Sequence, residues 1–342
     1  MADVAQGYFY NEDGQRVPVE FTDTVARETG AANTNKIDEI EKHILTLEDE
    51  ALIYDEQQHQ DIYAGRNLLE VYDAEIANGY ANAWEWLADH VSLRKSIGRK
   101  AYKGLRVEDY IPCTIESNTY NQRIMGLDCD EGTTDIEQPP GIFMFPDKVM
   151  PTGYQWNTSN NNNGNATNQA PYMVSNIRNV LLNTILPKYP SEIRAVMGER
   201  RTLLEYRYTA GQTLTDSNSW GWQDLGRLWL LDETEVYGQR VWSSVRANGI
   251  SNQFELFRNP RNRIMRDPDG ERRLWWLRSV NSGGSAYACS VNHDGDATTT
   301  TAPIRGLWRP ASKWLANSQP RTDTLNSGRL ARPLLYSREA GD

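Results

Sequence analysis

The sequence predicts an α+β protein with a helical segment ahead of a larger globular head. Between residues 36 and 100, apolar residues recur every three or four positions, which is typical of helices. After residue 100, short alternating stretches separated by turn residues predominate, which is typical of strands. We therefore predict three parts: an N-terminal arm at 1–35, a helical stalk at 36–100 and a head at 101–342.

The arm contains one short segment with strand character. Turn residues at Asn11–Gly14 precede an alternating stretch, Arg16–Phe21, that favours a strand or a hairpin. Residues 1–35 contain too little apolar sequence to fold alone. We expect this arm to dock on another protein.

The stalk begins with a regular apolar seam. Its members share a 3-4-3-4-3 spacing with charged residues between them, and they are Ile37, Ile40, Ile44, Leu47, Ala51 and Tyr54. This spacing predicts a coiled coil, and isoleucine at several seam positions favours three or more strands. We predict a parallel homotrimer. Because the seam is shorter than three heptads, a single amphipathic helix that packs on its own domain is the alternative.

The head is predicted to mix short strands with two helices around an aromatic core. We predict strands at Tyr110–Ile115, Gln122–Leu127 and Gly141–Phe145, and helices from Val174 to Leu186 and from Pro190 to Val196, stopped by Pro187 and Gly198 respectively. The 11 tryptophans and 17 tyrosines supply large apolar surfaces. Their density at Trp220–Gly226 and Leu228–Leu231 predicts a core there.

Composition argues against several classes of partner. The net charge is −10 and no basic stripe is present, so we expect no nucleic acid as partner. No segment resembles a signal peptide or reaches the ~20 apolar residues that span a bilayer, so we expect no membrane insertion. Cys113, Cys129 and Cys289 fit reduced, packed thiols better than a disulfide framework, although one pair remains possible.

Searches for catalytic and metal-binding patterns predict no catalytic residue, no metal and no cofactor. The four histidines are far apart, and Asn292–Asp296 and Asp128–Gly132 lack the complete pattern of a calcium loop, so Asx turns are favoured for both. His293 is the one histidine of the predicted head, which disfavours a catalytic triad. The carboxylates of Asp232–Glu235 could serve glycoside hydrolysis, but a charged helix start explains them more simply.

The last quarter of the chain carries the most informative pattern. An aromatic and aliphatic segment, Leu274–Ser279, precedes about thirty small polar residues that end at Arg309–Pro310. This pattern favours a display surface supported by a buried anchor, because Tyr, Ser, Asn and Gly adapt to a partner when a rigid scaffold carries them. A plain polar loop between strands is the alternative.

These segments resemble the C-terminal part of C-type-lectin-fold domains in phage and prophage proteins. That group is related to formylglycine-generating enzymes and includes targets of diversity-generating retroelements. The matching segments are Leu274–Ser279, Tyr287–Asn292, Gly306 and Arg309–Pro310, together with Pro171–Asn176, Leu181–Asn183, Trp220–Trp229 and Glu235–Gly238 upstream. The resemblance covers roughly residues 105–335 and implies a C-type-lectin-like head.

The resemblance also implies which residues face a ligand. Trp275 and Trp276 would be buried scaffold. The expected ligand-facing residues are Asn281, Ser282, Ser285, Tyr287, Ser290, His293, Asp294, Asp296, Thr298, Thr299, Thr300, Thr301, Pro303, Ile304, Arg305 and Trp308. We call this set the hairpin patch. A second Arg332–Pro333 leaves the C-terminal limit of the patch open, and Cys289 stands without the second cysteine of the oxidase branch, so oxidase activity is not expected.

Together these features predict a phage tail-tip receptor-binding protein, made in the bacterial cytoplasm and assembled into the virion. The head would bind a bacterial cell-surface receptor, either glycan or protein, and the arm would attach to other virion tail proteins. A trimer would multiply weak sites through avidity. Two alternatives remain: a hydrolase that acts on envelope glycans, or a purely structural decoration of the virion.

Overall fold

The computed structural model describes residues 7–10, 16–19, 33, 36, 65–165, 168–209, 220–243, 252–306 and 310–315. The chain divides into two compact units, Met1–His59 and Gln60–Asp342. In the first unit, strands β1 (Gly7–Tyr10) and β2 (Arg16–Val19) pair in an antiparallel hairpin. The predicted strand in the arm is therefore confirmed. The predicted coiled-coil seam, residues 37–54, lies outside the described residues.

The second unit contains both helices and antiparallel sheets, which confirms the α+β class. Its α-helices are α1 Leu68–Val71, α2 Asp73–Gly79, α3 Ala83–Ile97, α4 Asn176–Val180, α5 Ser191–Val196 and α6 Glu233–Tyr237. Its strands are β3 Tyr110–Ile115, β4 Asn118–Leu127, β5 Ile142–Pro146, β6 Tyr154–Gln155, β7 Met197–Gly198, β8 Arg201–Glu205, β9 Trp220–Asp224, β10 Met265–Arg266, β11 Arg272–Arg273, β12 Trp275–Val280, β13 Tyr287–Val291, β14 Ala297–Thr301, β15 Arg305–Gly306 and β16 Ser312–Trp314.

The longest described helix, α3, packs into the same core as the predicted head. Asn82 caps its first turn by accepting hydrogen bonds from the N–H groups of Trp84 and Glu85, both 3.0 Å long. The indoles of Trp84 and Trp86 in this helix are buried. The Trp84 ring stacks on Trp314, near the C-terminal end of the described chain, with the ring centroids 4.6 Å apart. Residues 83–97, assigned above to the stalk, therefore contribute to the core of the second unit.

A five-stranded antiparallel sheet forms one layer of this unit, in the order β3-β4-β5-β16-β7. The three predicted strands are confirmed as β3, the second half of β4, and β5. Every residue of β5 is buried, because this strand lies between β4 and β16 and carries apolar residues on both faces. The fourth strand of this sheet, β16, comes from the far end of the described chain, so the sheet joins segments that are distant in the sequence.

Both predicted helices in the middle of the unit exist, with differences at their ends. The first begins as α4 and continues through a wider turn at Leu181–Ile185 into a short 3-10 turn, Leu186–Lys188, which includes Pro187. The second is α5, and the chain passes from it directly into β7. Gly198 therefore lies in a strand and does not cap the helix, because its backbone pairs with Lys313 of β16.

Tryptophans make up much of the core. Trp275 and Trp276 are fully buried in β12, which confirms their predicted role as scaffold. Their indole N–H groups donate to the carbonyls of Arg263 and Tyr154, at 3.0 and 3.1 Å, so burial leaves neither donor unsatisfied. Leu228–Leu231 is also fully buried, as predicted, whereas Trp220–Asp224 of the other predicted core segment forms β9 and is only partly buried. Across the described ranges, no helix is long and apolar enough to span a bilayer.

Candidate ligand-binding surface

The predicted polar run forms a three-stranded antiparallel sheet, in the order β12-β13-β14. β12 supplies the buried anchor, and the hairpin of β13 and β14 carries most of the predicted patch. The connection between the two hairpin strands is an Asx turn, because Asn292 Oδ1 accepts from the N–H groups of Asp294 and Asp296, both at 2.9 Å. Gly295 adopts a φ of 91°, which suits glycine in this turn. The predicted Asx turn is confirmed.

Strand alternation divides the patch between two faces of the sheet. Thr298 and Thr300 lie opposite Ser290 and Ala288 on one face, while Thr299 and Thr301 lie opposite Cys289 and Tyr287 on the other. All of Ala297–Thr301 is partly exposed. These threonines were predicted to share one ligand-facing surface, but consecutive strand residues cannot share a face.

Ser290 is a correction to the predicted patch. Its side chain is fully buried, and its hydroxyl shares a 3.0 Å hydrogen bond with the hydroxyl of Thr300. In this structure Ser290 supports the hairpin from within and does not face a ligand. The physical reason is the position of β13, which is the central strand of its sheet and is covered on both faces.

On the first face, the hairpin borders an open groove of about 660 Å³, which we call the arginine groove. This volume lies in the range of small-molecule binding sites. Four patch residues line it: His293, Thr300, Ile304 and Arg305. The rest of its wall comes from Pro151–Gly153, Asp267–Asp269, Arg272–Leu274 and Gly306.

Side chains of both charges line the arginine groove. Arg273 Nε lies 2.7 Å from Asp267 Oδ2, and this hydrogen bond lowers the pKa of the Asp267 carboxyl. Arg272 Nη1 lies 3.4 Å from Asp294 Oδ1 in a looser, exposed pair. Arg305 forms no ion pair with any residue that the structure describes, so its guanidinium can bind a ligand without first breaking a contact.

The turn between β12 and β13 holds three further patch residues, Asn281, Ser282 and Ser285. It is fixed from below by Asn162, whose fully buried side chain donates to the carbonyls of Gly284, at 3.0 Å, and of Tyr287. The Asn162 N–H also donates to the Ser285 carbonyl at 2.6 Å. The polar turn is therefore held in one shape.

Arg207 completes this support. Its buried guanidinium donates to Asn162 Oδ1 at 2.6 Å and to the Asn281 carbonyl. Burial lowers the pKa of Arg207. Sequence reasoning missed both residues: Asn162 lies in an asparagine-rich stretch that reads as plain loop, and no pattern near Arg207 indicates its distant partners.

The remaining patch residues lie at the rim. His293 Nε2 is 3.1 Å from Asp294 Oδ2, and both side chains are more than half exposed. Asp296 is also exposed, while the Pro303 carbonyl accepts a 2.6 Å hydrogen bond from Gln155. Trp308 lies outside the described residues.

Beneath the sheet, β12 contributes Arg278 to a buried ionic cluster with Asp232, Glu235 and Arg200. Arg278 Nη2 lies 2.5 Å from Asp232 Oδ2, and its two Nη atoms contact both oxygens of Glu235, at 2.5 and 2.9 Å. Arg200 Nη2 adds a 2.5 Å contact to Glu235. The Arg200 guanidinium also lies over three aromatic rings, 5.3 to 5.6 Å from their centroids.

Burial and charge act differently on the two acids of this cluster. Burial raises the pKa of Asp232 against the opposing charge of Arg278. Burial also acts to raise the pKa of Glu235, but Arg200 and Arg278 outweigh it and hold that pKa below its usual value. These acids begin α6 through a capping box, as the predicted charged helix start requires. The carboxylates considered for hydrolysis are therefore engaged with arginines inside the core.

The other acidic motif, Asp128–Gly132, is also occupied by protein groups. Asp128 accepts from Arg94 Nε at 2.6 Å and from the Tyr102 hydroxyl at 2.8 Å, while Asp130 accepts from Lys313 Nζ at 2.7 Å. No group of three or more potential metal ligands of the His, Cys, Asp and Glu types occurs within the described ranges.

The three cysteines are free thiols in this structure. Cys113 and Cys289 are buried, and burial raises the pKa of Cys113 to about 12 and that of Cys289 well above its ordinary value. Thiols in such surroundings are poor nucleophiles, because the thiolate form is disfavoured. They pack as small apolar residues.

The hairpin, the arginine groove and their supports lie within a region that matches one protein family. The family is described as a domain of unknown function, DUF6273, and its match covers residues 145–333. Since this is more than half of the chain, the protein belongs to that family. Comparisons with curated proteins and with solved structures found no match.

Proposed function

We propose that this protein is a receptor-binding protein of a phage tail tip, and that its second compact unit binds a molecule on the bacterial surface. One observation carries the proposal. A partly exposed polar hairpin and a preformed groove stand directly on β12, whose Trp275 and Trp276 are fully buried. A rigid support under adaptable polar side chains is the arrangement that binding surfaces require.

Rigidity of the surface supports binding in particular. Asn162 and Arg207 hold one end of the hairpin patch, and the Asx turn at Asn292 holds the other. A ligand that meets this surface would order few additional groups, so little of the interaction energy is lost to conformational entropy. Arg305 and Ile304 project from the groove wall with exposed side chains and are the contacts that we expect to matter most.

The finer architecture is part of the same proposal. The head is C-type-lectin-like, the N-terminal arm attaches to other tail proteins, and a trimeric coiled coil between them presents three heads at once. Weak individual sites would then act together through avidity. The threonines of β14 are partly exposed, and we expect them to tolerate exchange without loss of the core, as diversification by a retroelement would require.

The test is binding of the full-length protein to a panel of bacterial strains, measured by flow cytometry. We expect saturable binding to some strains, and we expect Arg305→Ala to weaken it by about ten- to a hundredfold, because a charge-assisted contact contributes roughly 1.5–3 kcal/mol. The matched control is Arg227→Ala. Arg227 is also exposed, but it contacts the carbonyl of Arg194 in α5 and does not line the groove.

Two results would contradict the proposal. One is a folded wild-type protein that binds none of the strains. The other is unchanged binding in all three variants, Arg305→Ala, Arg305→Glu and Arg227→Ala. Equal weakening by the two variants would also count against the groove, since it would indicate a general charge effect.

A further inference from the structure

Trp242 is an exception among the described tryptophans, because it alone has an exposed side chain. It is 47% exposed, while Trp275 and Trp276 are completely buried. It follows α6 in the chain and was not part of the predicted patch. Large aromatic side chains on a surface are frequent contact residues, because they offer much area and lose little entropy.

Trp242 is held in place by hydrogen bonds of its ring and of its backbone. Its indole Nε1 donates to the Ala297 carbonyl of β14 at 3.1 Å, and its own carbonyl accepts from the Ser282 N–H at 3.0 Å. Its backbone N–H donates to the Glu233 carboxylate at 3.0 Å. The ring is thus exposed and yet fixed against the predicted patch, which is the form of preorganisation that favours binding.

Glu233 explains how this loop is positioned. Its fully buried carboxylate accepts from the N–H groups of Val241 and Ser243, both at 2.9 Å, and from the Ser243 hydroxyl at 2.7 Å, in addition to Trp242. Burying a carboxylate is costly unless hydrogen bonds compensate. Here the oxygens of a buried acid bind one three-residue loop, and the most exposed large group of that loop is the indole.

The surroundings of the loop indicate the chemistry of a ligand. Ser243 pairs with Asn281 in an isolated backbone bridge, and the Ser282 N–H donates to the Trp242 carbonyl, so Asn281 and Ser282 are neutral neighbours of the loop that carries the indole. Arg240 is the charged neighbour, since its Nη1 lies 3.4 Å from the Ser243 carbonyl. Asn281 uses its side-chain oxygen on Gly283, at 2.8 Å, which leaves its amide N–H groups to donate outwards. At a contact with a protein partner, an aromatic side chain is usually surrounded by groups that exclude water. The polar neighbours of Trp242 favour a ligand that carries hydroxyl groups instead.

We propose that Trp242 is a stacking platform for a neutral saccharide ring, with Asn281 and Ser282 as hydrogen-bond partners for its hydroxyl groups. One face of a pyranose ring carries C–H groups, which pack against the electron-rich face of an indole. The inference rests on the proposed receptor-binding function and names its ligand class as a glycan.

The test uses the full-length protein on an array of neutral hexose and N-acetylhexosamine oligosaccharides, with affinities then measured for the retained saccharides. We expect Trp242→Ala to weaken binding by tenfold or more, which corresponds to about 1.4 kcal/mol. Trp242→Phe keeps an aromatic ring and should lose less. Val241→Ala is the matched control, since Val241 is 46% exposed in the same loop and contacts Glu233 only through its backbone.

Thermal unfolding of each variant separates a lost contact from a lost fold. The inference is overturned if the array retains no neutral saccharide, or if folded Trp242→Ala binds as tightly as the wild type. The receptor-binding proposal has a separate readout, because cells treated with periodate lose saccharide diols and keep their proteins. Equal binding to treated and untreated cells would refute the saccharide and leave a protein receptor.

Discussion

The buried ionic cluster and the arginine groove use the same chemistry in opposite surroundings. Around Arg278, two carboxylates and a second arginine are packed inside the core with contacts of 2.5 to 2.9 Å. Along the groove, Arg272 meets Asp294 at 3.4 Å with about half of each side chain exposed. Arg278 lies in β12, and Arg272 lies in β11 directly before it in the chain.

This contrast shows how burial changes the cost of breaking an ion pair. Inside the core, a charge that loses its partner has no water to replace it, so the cluster specifies one arrangement of α6 against β12. In the exposed Arg272–Asp294 pair, water can replace either partner, so this pair can open at little cost. Three measurements would test this difference.

The largest expected effect comes from Arg278→Met. The substitution leaves Asp232 and Glu235 buried beside Arg200 alone, and removal of one partner from a buried ion pair costs about 3–5 kcal/mol. Denaturant unfolding of the variant should show a loss of this size. Adding Asp232→Asn and Glu235→Gln should restore part of the stability, because the unpaired charges are then removed. A loss below about 1 kcal/mol would show that the cluster is not a buried ionic network.

A smaller effect is expected from acid. The folded-state pKa of Glu235 is below its ordinary value of about 4.3, so its stabilising contribution is complete above that pH and is lost as pH falls through the folded-state pKa. The raised pKa of Asp232 works in the opposite direction and offsets part of the loss.

Unfolding free energies between pH 7 and pH 3.5 would measure this contribution. Glu235→Gln should be less stable at pH 7 and should lose less stability on acidification than the wild type. Asp294→Asn, at an exposed acid of the groove, is the control. Parallel pH profiles for the wild type and Glu235→Gln would contradict the assignment.

The smallest effect is expected from Arg272→Ala in the groove. An exposed pair contributes about 0–1 kcal/mol, and at 3.4 Å this one is loose, so unfolding should change by less than about 1 kcal/mol. If Arg272→Ala lowered the free energy of unfolding as much as Arg278→Met does, the two regions would not differ in the way described.

Local patterns in the sequence predicted several elements of the fold correctly. The alternation at residues 110–115 and the apolar run at 141–145 predicted β3 and β5, because these two patterns are typical of half-buried and fully buried strands. The pair Trp275–Trp276 predicted a buried anchor, and Asn292–Asp296 predicted an Asx turn. The proposed ligand-facing role of the residues between them stays a prediction.

Contacts between distant segments could not be read from such patterns. Asn162 reaches Tyr287, Trp84 stacks on Trp314, and Arg278 meets Glu235, over separations of 43 to 230 residues. Nothing local distinguishes these residues from exposed ones. Ser290 was misplaced for the same reason, because whether a serine is buried depends on which elements cover its strand.

The sequence by itself therefore determined the α+β class, the three predicted strands of the head, the tryptophan anchor and the turn of the hairpin. The tertiary structure alone decided which threonines share a face, which arginines are buried with acids, and that Trp242 lies against β14 with its ring exposed. The physical reason is that propensity and periodicity act over a few residues, whereas burial and charge pairing depend on segments that meet only when the chain folds.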